Sequence, residues 1–188
     1  MRNSLSVVLL AVAVMSLAPA AHAGLIGSTG ITWYFPDTST SIATDTIAVG
    51  SSLNCPGASP ICSGFGGNTV SFSVASTSIS YNFPGVGNYA TGSFNGFDFT
   101  GLTFADAGSL LGFGLVTNMT GLTAADVSFT AHSIEINLQG LSATGTFTLN
   151  LSEAASVPEP GFLAPVGAVL AGLAVFIRRR RSTLPARG

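Results

Sequence analysis

Val70-Ser71-Phe72-Ser73-Val74-Ala75-Ser76-Thr77-Ser78-Ile79-Ser80-Tyr81-Asn82-Phe83-Pro84-Gly85-Val86-Gly87 is the stretch that decides the fold class. Val70, Phe72 and Val74 alternate with Ser71 and Ser73, and Ile79, Tyr81 and Phe83 alternate with Ser80 and Asn82. Successive side chains of a strand point to opposite faces, so this alternation offers one apolar row to a core and one polar row to water. Pro84-Gly85 then ends the run. The pattern recurs at Ile134, Ile136 and Leu138 against Glu135, Asn137 and Gln139, and at Phe147, Leu149 and Leu151 against Thr146, Thr148 and Asn150. Further apolar runs lie at Ile31–Phe35, Phe97–Phe104 and Leu110–Val116. Asn95-Gly96, between Phe94 and Phe97, predicts a two-residue hairpin with both turn residues at positive φ. Only Leu122–Val127, opening with Thr123 and containing Ala124-Ala125-Asp126, reads as a helical turn. Eleven of the 13 phenylalanines fall in the segment 24–157, enough for a real core. The reading is an all-β fold: an antiparallel, jelly-roll-like β-sandwich over residues 24–155.

Charge is scarce and unevenly placed. Of 188 residues 47% are hydrophobic and 7% charged, and between Arg2 and Arg178 there is no basic side chain other than histidine. From Gly24 to Val157 the chain carries Asp37, Asp45, Asp98, Asp106, Asp126, Glu135 and Glu153, a formal charge of −7. Neutralising phosphates requires Lys or Arg, so this segment excludes nucleic acid as a partner.

The first residues read as an address. Arg2 precedes the apolar run Leu5–Leu17, then Pro19, then the small residues Ala21 and Ala23 around His22. These are the parts of a secretory signal peptide over residues 1–23, with cleavage between Ala23 and Gly24. An uncleaved anchoring helix is the competing reading, though 13 residues are short of the roughly 20 a membrane span needs.

The opposite end has three physically distinct parts. Val157-Pro158-Glu159-Pro160 is followed by the uncharged run Gly161–Ile177 and then by Arg178-Arg179-Arg180-Arg181. As a helix, residues 161–177 would span about 25 Å, near the lower limit for a transmembrane helix. Each arginine costs roughly 2.5–3.5 kcal/mol at mid-bilayer, so the cluster stops transfer and leaves residues 178–188 as a cytoplasmic basic tail. Pro158 and Pro160 bias the strip before the span toward extended backbone. A plain single-pass anchor behind a proline-rich linker would share the span and the arginines.

In that order, Val157–Pro160, the apolar span and the arginine cluster resemble the PEP-CTERM sorting signal of bacterial exported proteins, here residues 156–188. The resemblance implies recognition and cleavage near Pro158-Glu159-Pro160 by an exosortase, a membrane-embedded cysteine protease. It implies release or re-attachment at the cell surface, in bacteria that make exopolysaccharide and biofilm matrix. Tyr89–Leu151, including Gly92-Ser93-Phe94-Asn95-Gly96-Phe97 and Ile134-Glu135-Ile136-Asn137-Leu138-Gln139-Gly140, is similar to the ectodomain that often precedes this signal. That similarity carries no activity with it.

Catalytic signals are thin. His132, beside Asp126 and Glu135, has no G-x-S-x-G nucleophile and reads as a turn residue. Gly85-Val86-Gly87-Asn88-Tyr89-Ala90 matches G-x-G-x-x-A but lacks the helix that motif needs, and reads as a turn. The aspartates form no D-x-D-x-D-G loop; a single calcium ion held by loop carboxylates and carbonyls stays open. No cofactor is implied. Cys55 and Cys62 lie in an exported segment, which favours a disulfide closing an eight-residue ring worth about 2.5 kcal/mol. Two function classes follow: a non-enzymatic surface or matrix protein, and a carbohydrate- or calcium-binding lectin-like module using Trp33-Tyr34-Phe35, Tyr81 or Tyr89 against sugar rings. Trp33 exposed beside a carboxylate favours the second; Trp33 buried favours the first.

Overall fold

The computed structural model describes residues 24–154, which form ten strands and two short 3₁₀ segments. The strands are β1 (Ser28–Tyr34), β2 (Ser41–Ala48), β3 (Ser51–Cys55), β4 (Val70–Val74), β5 (Ser78–Phe83), β6 (Gly96–Thr100), β7 (Ser109–Thr117), β8 (Val127–Phe129), β9 (Ser133–Asn137) and β10 (Gly145–Ala154). They build two five-stranded sheets, ordered β2-β1-β6-β9-β8 and β3-β4-β5-β10-β7. Every pairing is antiparallel. The signal peptide expected at 1–23 and the motif, span and basic tail expected at 157–160, 161–177 and 178–188 lie outside the described residues. Among the described residues no helix is long and apolar enough to cross a membrane.

Alternation places the core. Val70, Phe72 and Val74 of β4, Ile79, Tyr81 and Phe83 of β5, Ile134 and Ile136 of β9, and Phe147 and Leu149 of β10 are all buried. Their inner faces meet across the two sheets: Phe97 of β6 lies 4.9 Å from the ring of Phe72 and 5.9 Å from that of Tyr81. Burying each such ring contributes roughly 1.5–3 kcal/mol, so this cluster is the main source of stability. The helical turn expected at Leu122–Val127 is the 3₁₀ segment Ala124–Asp126. Thr123 caps it, and the Asp126 carboxylate accepts hydrogen bonds from the Thr123 N–H (2.8 Å) and hydroxyl (2.9 Å).

The hairpin expected at Asn95-Gly96 does not form. Gly96 instead opens β6, which pairs with β1 on one side and β9 on the other. Its glycine answers a close approach rather than a turn: a Cβ there would stand 1.9 Å from the Ile136 carbonyl oxygen. The Asn95 side chain bonds the Trp33 indole, 62 residues away, and the nearby Ala90 carbonyl, as described below.

Candidate functional site

Two regions bear on function: an aromatic groove at one end of β1, and the outer face of the first sheet. The groove starts from the disulfide. Cys55 at the end of β3 is bonded to Cys62, within the 3₁₀ segment Pro60–Phe65. That bond fixes the segment so that the Phe65 ring stacks on the Trp33 indole, with centroids 4.8 Å apart and planes at 23°. Tyr89 and Phe97 approach the same indole at 6.3 and 5.7 Å. A Cβ on residue 64 would come within 2.2 Å of the indole, so only glycine lets the ring lie there. The indole Nε1–H donates to Asn95 Oδ1 at 3.0 Å, and Asn95 Nδ2 donates to the Ala90 carbonyl at 3.0 Å.

Outside this stack lies an open groove of about 300 Å³, walled by Trp33, Phe35, Ile42, Phe83, Val86 and Tyr89. Val86, 94% exposed, stands at its rim. No Asp or Glu lines it. Trp33 is therefore half-buried, with its N–H engaged by an amide and no carboxylate beside it. Tyr81 and Tyr89 face inward rather than toward a ligand. The Tyr89 hydroxyl donates to the Tyr81 oxygen at 2.9 Å, and Tyr81 donates to the Ala143 carbonyl at 3.4 Å. Burial pushes the Tyr81 hydroxyl up to about 12 and the Tyr89 hydroxyl well above its ordinary value, so both stay neutral donors.

On the outer face of the first sheet, register aligns one residue from each strand into a polar row. Thr44 faces Thr32, Thr32 faces Asp98, Asp98 faces Glu135, and Glu135 faces Ser128. The threonine hydroxyls lie 3.2 Å apart, and the Ser128 hydroxyl donates to Glu135 at 3.2 Å. Asp98 Oδ1 is buried without a hydrogen-bond partner. Desolvation, reinforced by the Glu135 charge, raises the Asp98 carboxyl to about 6. The folded segment holds no Lys or Arg to oppose either effect. Sequence reasoning missed this pair. Asp98 between Phe97 and Phe99 announces an outward position, but Glu135 becomes its neighbour only through the register of strands 37 residues apart in sequence.

The remaining acids are spent locally. Asp37 accepts from the Ser39 N–H and hydroxyl at 2.9 and 2.7 Å, which holds its carboxyl below the ordinary value. Asp45 accepts from the Thr46 N–H and the Ser59 hydroxyl, and Asp106 from the Gly108 N–H. Asp37 and Asp106 close separate turns, whereas Asp45 lies within β2 and ties it to the loop that precedes Pro60–Phe65. Among the described residues, no group of three or more His, Cys, Asp or Glu is placed to hold a metal ion. His132 sits in the β8–β9 turn with Nδ1 3.0 Å from the Leu102 carbonyl. Residues 85–90 form a connection, with Asn88 bridged to Ser142. Of the residues read as sorting or processing signals, Gly24 is described, its carbonyl accepting the Ala105 N–H at 3.1 Å. Ala21, Ala23, Val157, Pro158, Glu159, Pro160 and Arg178–Arg181 lie outside the described residues. No known protein family, curated protein or solved structure matches the chain.

Proposed function

We propose that the chain is a non-enzymatic exported surface or matrix protein: a jelly-roll-like β-sandwich delivered by a signal peptide and sorted through its C-terminus by an exosortase. Residues 161–177 hold the precursor in the inner membrane with the sandwich outside, and processing at Val157–Pro160 yields a cell-surface or extracellular form that associates with exopolysaccharide. The observation that carries this reading is the order of parts in the sequence: extended Val157–Pro160, uncharged Gly161–Ile177, then Arg178–Arg181. A permanent anchor needs only the last two. Pro158-Glu159-Pro160 is the informative excess, holding a cleavage strip extended and offering Glu159 as a charge at the membrane boundary.

The folded segment supports a structural role in its own way. Its aromatics stack on one another, its loop acids close turns, and its cysteines staple a loop. The lectin-like reading would place a sugar in the Trp33 groove. It is the weaker one, because the indole N–H already serves Asn95 and no acid lines the groove.

Replacing Pro158, Glu159 and Pro160 with alanine leaves hydrophobicity and arginines untouched, so the variant should insert and then accumulate as full-length precursor in the inner membrane. Loss of residues 161–181 at the wild-type rate, read by mass spectrometry of the C-terminus, would defeat the proposal.

A further inference from the structure

The four sheet edges are guarded unequally. β8 has three residues, β3 has five and runs into Pro56, and β2 carries Asp45, which ties it to Ser59 ahead of the Pro60–Phe65 segment. Short strands, charges, prolines and covering loops are the ordinary means of keeping an edge from pairing. β7 has none of them over its regular part, for Gly112-Phe113-Gly114-Leu115-Val116-Thr117 contains neither a charged residue nor a proline. It is nine residues long and pairs with β10 on one side. Exposed apolar side chains gather there: Leu111 and Val116 on the strand, and beside it Phe129, whose ring lies 5.9 Å from that of Phe113.

Alternation decides which backbone groups this edge offers. In an antiparallel ladder the N–H and C=O of one residue point to the same side, and those of the next residue to the other. The Asn118 N–H donates to the Thr146 carbonyl on β10 at 3.2 Å, and Thr117 stands opposite Phe147. Thr117, Leu115 and Phe113 therefore direct their backbone groups away from β10. The run is closed by the irregularity opposite Ser152 and Glu153, where Leu111 is the extra residue. Beyond it the Leu110 N–H already donates to the Ala131 carbonyl at 2.9 Å. The row left to be paired is Phe113, Leu115 and Thr117.

We propose that this edge pairs with the same edge of a second copy of the chain, antiparallel across a two-fold axis at Leu115. That register alone pairs all three outward residues: Phe113 with Thr117 of the second copy, Leu115 with its own counterpart, and Thr117 with Phe113. The side chains fit the same register. On the outer face Val116, 64% exposed, comes opposite Gly114 of the second copy, where a Cβ would meet only the Asn150 Cβ, at 3.9 Å. A bulky side chain on each strand thus faces the space left by a glycine on the other. This complementarity is contained in one strand, which is why a second copy suits the edge better than an unrelated strand. The contact is also closed: it uses β7 on both copies, joins their second sheets into one, and leaves the short β3 at each outer end.

Size-exclusion chromatography with light scattering, on the full-length chain in a mild detergent, should show a dimer. Val116→Lys puts a charge on the edge at an exposed position, and Leu115→Pro removes the donor that points away from β10 while sparing the β10 ladder. Each should weaken the dimer by about tenfold or more. Cysteines read the register, since the chain's own two are bonded to each other. A mixture of Gly114→Cys and Val116→Cys chains should cross-link on oxidation. Neither variant alone should do so, because like positions are then diagonal neighbours about 7–8 Å apart, too far for a disulfide. The cross-linking test stands whether or not Leu115→Pro folds. A monomeric wild type, a dimer unchanged by Val116→Lys, or cross-linking no greater in the mixture than in either variant alone overturns the proposal.

Discussion

Two desolvated acidic groups, a carboxyl and a phenol, both predict stability lost as pH rises, in separate pH ranges. The Asp98 carboxyl titrates at about 6 in the fold against an ordinary 3.8. The folded form therefore holds its proton more tightly than the unfolded chain. The stability this adds is fully present below the ordinary value and is lost as pH rises through about 6. Asp98→Asn should gain about 1 kcal/mol at pH 7.5, a figure already discounted for solvent screening at a half-buried site, and the gain should shrink by pH 5. Urea unfolding of both proteins at the two pH values checks this; a gain of equal size at both would be incompatible with it. The tyrosine chain behaves in the same sense at higher pH. Tyr89→Phe removes one donor and leaves Tyr81 bonded to Ala143, costing about 1 kcal/mol, whereas Tyr81→Phe strands both the Tyr89 hydroxyl and the Ala143 carbonyl and should cost about 2 kcal/mol. Because the Tyr81 hydroxyl is raised to about 12, the wild type should also lose stability above about pH 10, where the unfolded chain ionises and the fold resists.

Strands that bury a full row were legible, and three of the four edge strands, which do not, were hidden. β4, β5, β9 and β10 show strict alternation because each presents one face to the core. β2, β3 and β8 went unread, and each is an edge strand. Ile47 is the sole buried residue of β2, Cys55 of β3 and Val127 of β8, so these edges write no apolar row, whereas the fourth edge, β7, was readable from its apolar composition although Leu110 is its one buried residue. The Asn95-Gly96 error has the same root. A dipeptide typical of hairpins was chosen here for a long-range approach, which no local pattern records. Gly96→Ala should cost ~3 kcal/mol or more, because the Cβ meets the Ile136 backbone and the β6–β9 ladder must part; thermal unfolding would read it. Reducing the Cys55–Cys62 bond should cost about 2.5 kcal/mol and change Trp33 fluorescence, since Phe65 is seated on the indole by that staple. Fluorescence that stays constant on reduction in the native state would show that Phe65 holds its place unaided.

For the molecule as a whole, the all-β antiparallel class and the disulfide were readable from residue order, while the Asp98–Glu135 neighbours were not. The former need only nearby residues; the latter depend on which distant strands lie side by side. The processing reading concerns the two ends, and the mature N-terminus should be Gly24, with detection of residues 5–17 in exported material counting against it. The sheet order has a mechanical consequence for a protein tethered through its C-terminus. β10, the last strand, is not at an edge but lies between β5 and β7, paired along most of its length with both. Tension applied beyond residue 154 loads β10 along its axis, so both ladders must slide at once instead of peeling open one bond at a time. Under the proposed surface tether, a pull on the C-terminus would thus enter the domain at a strand held from both sides.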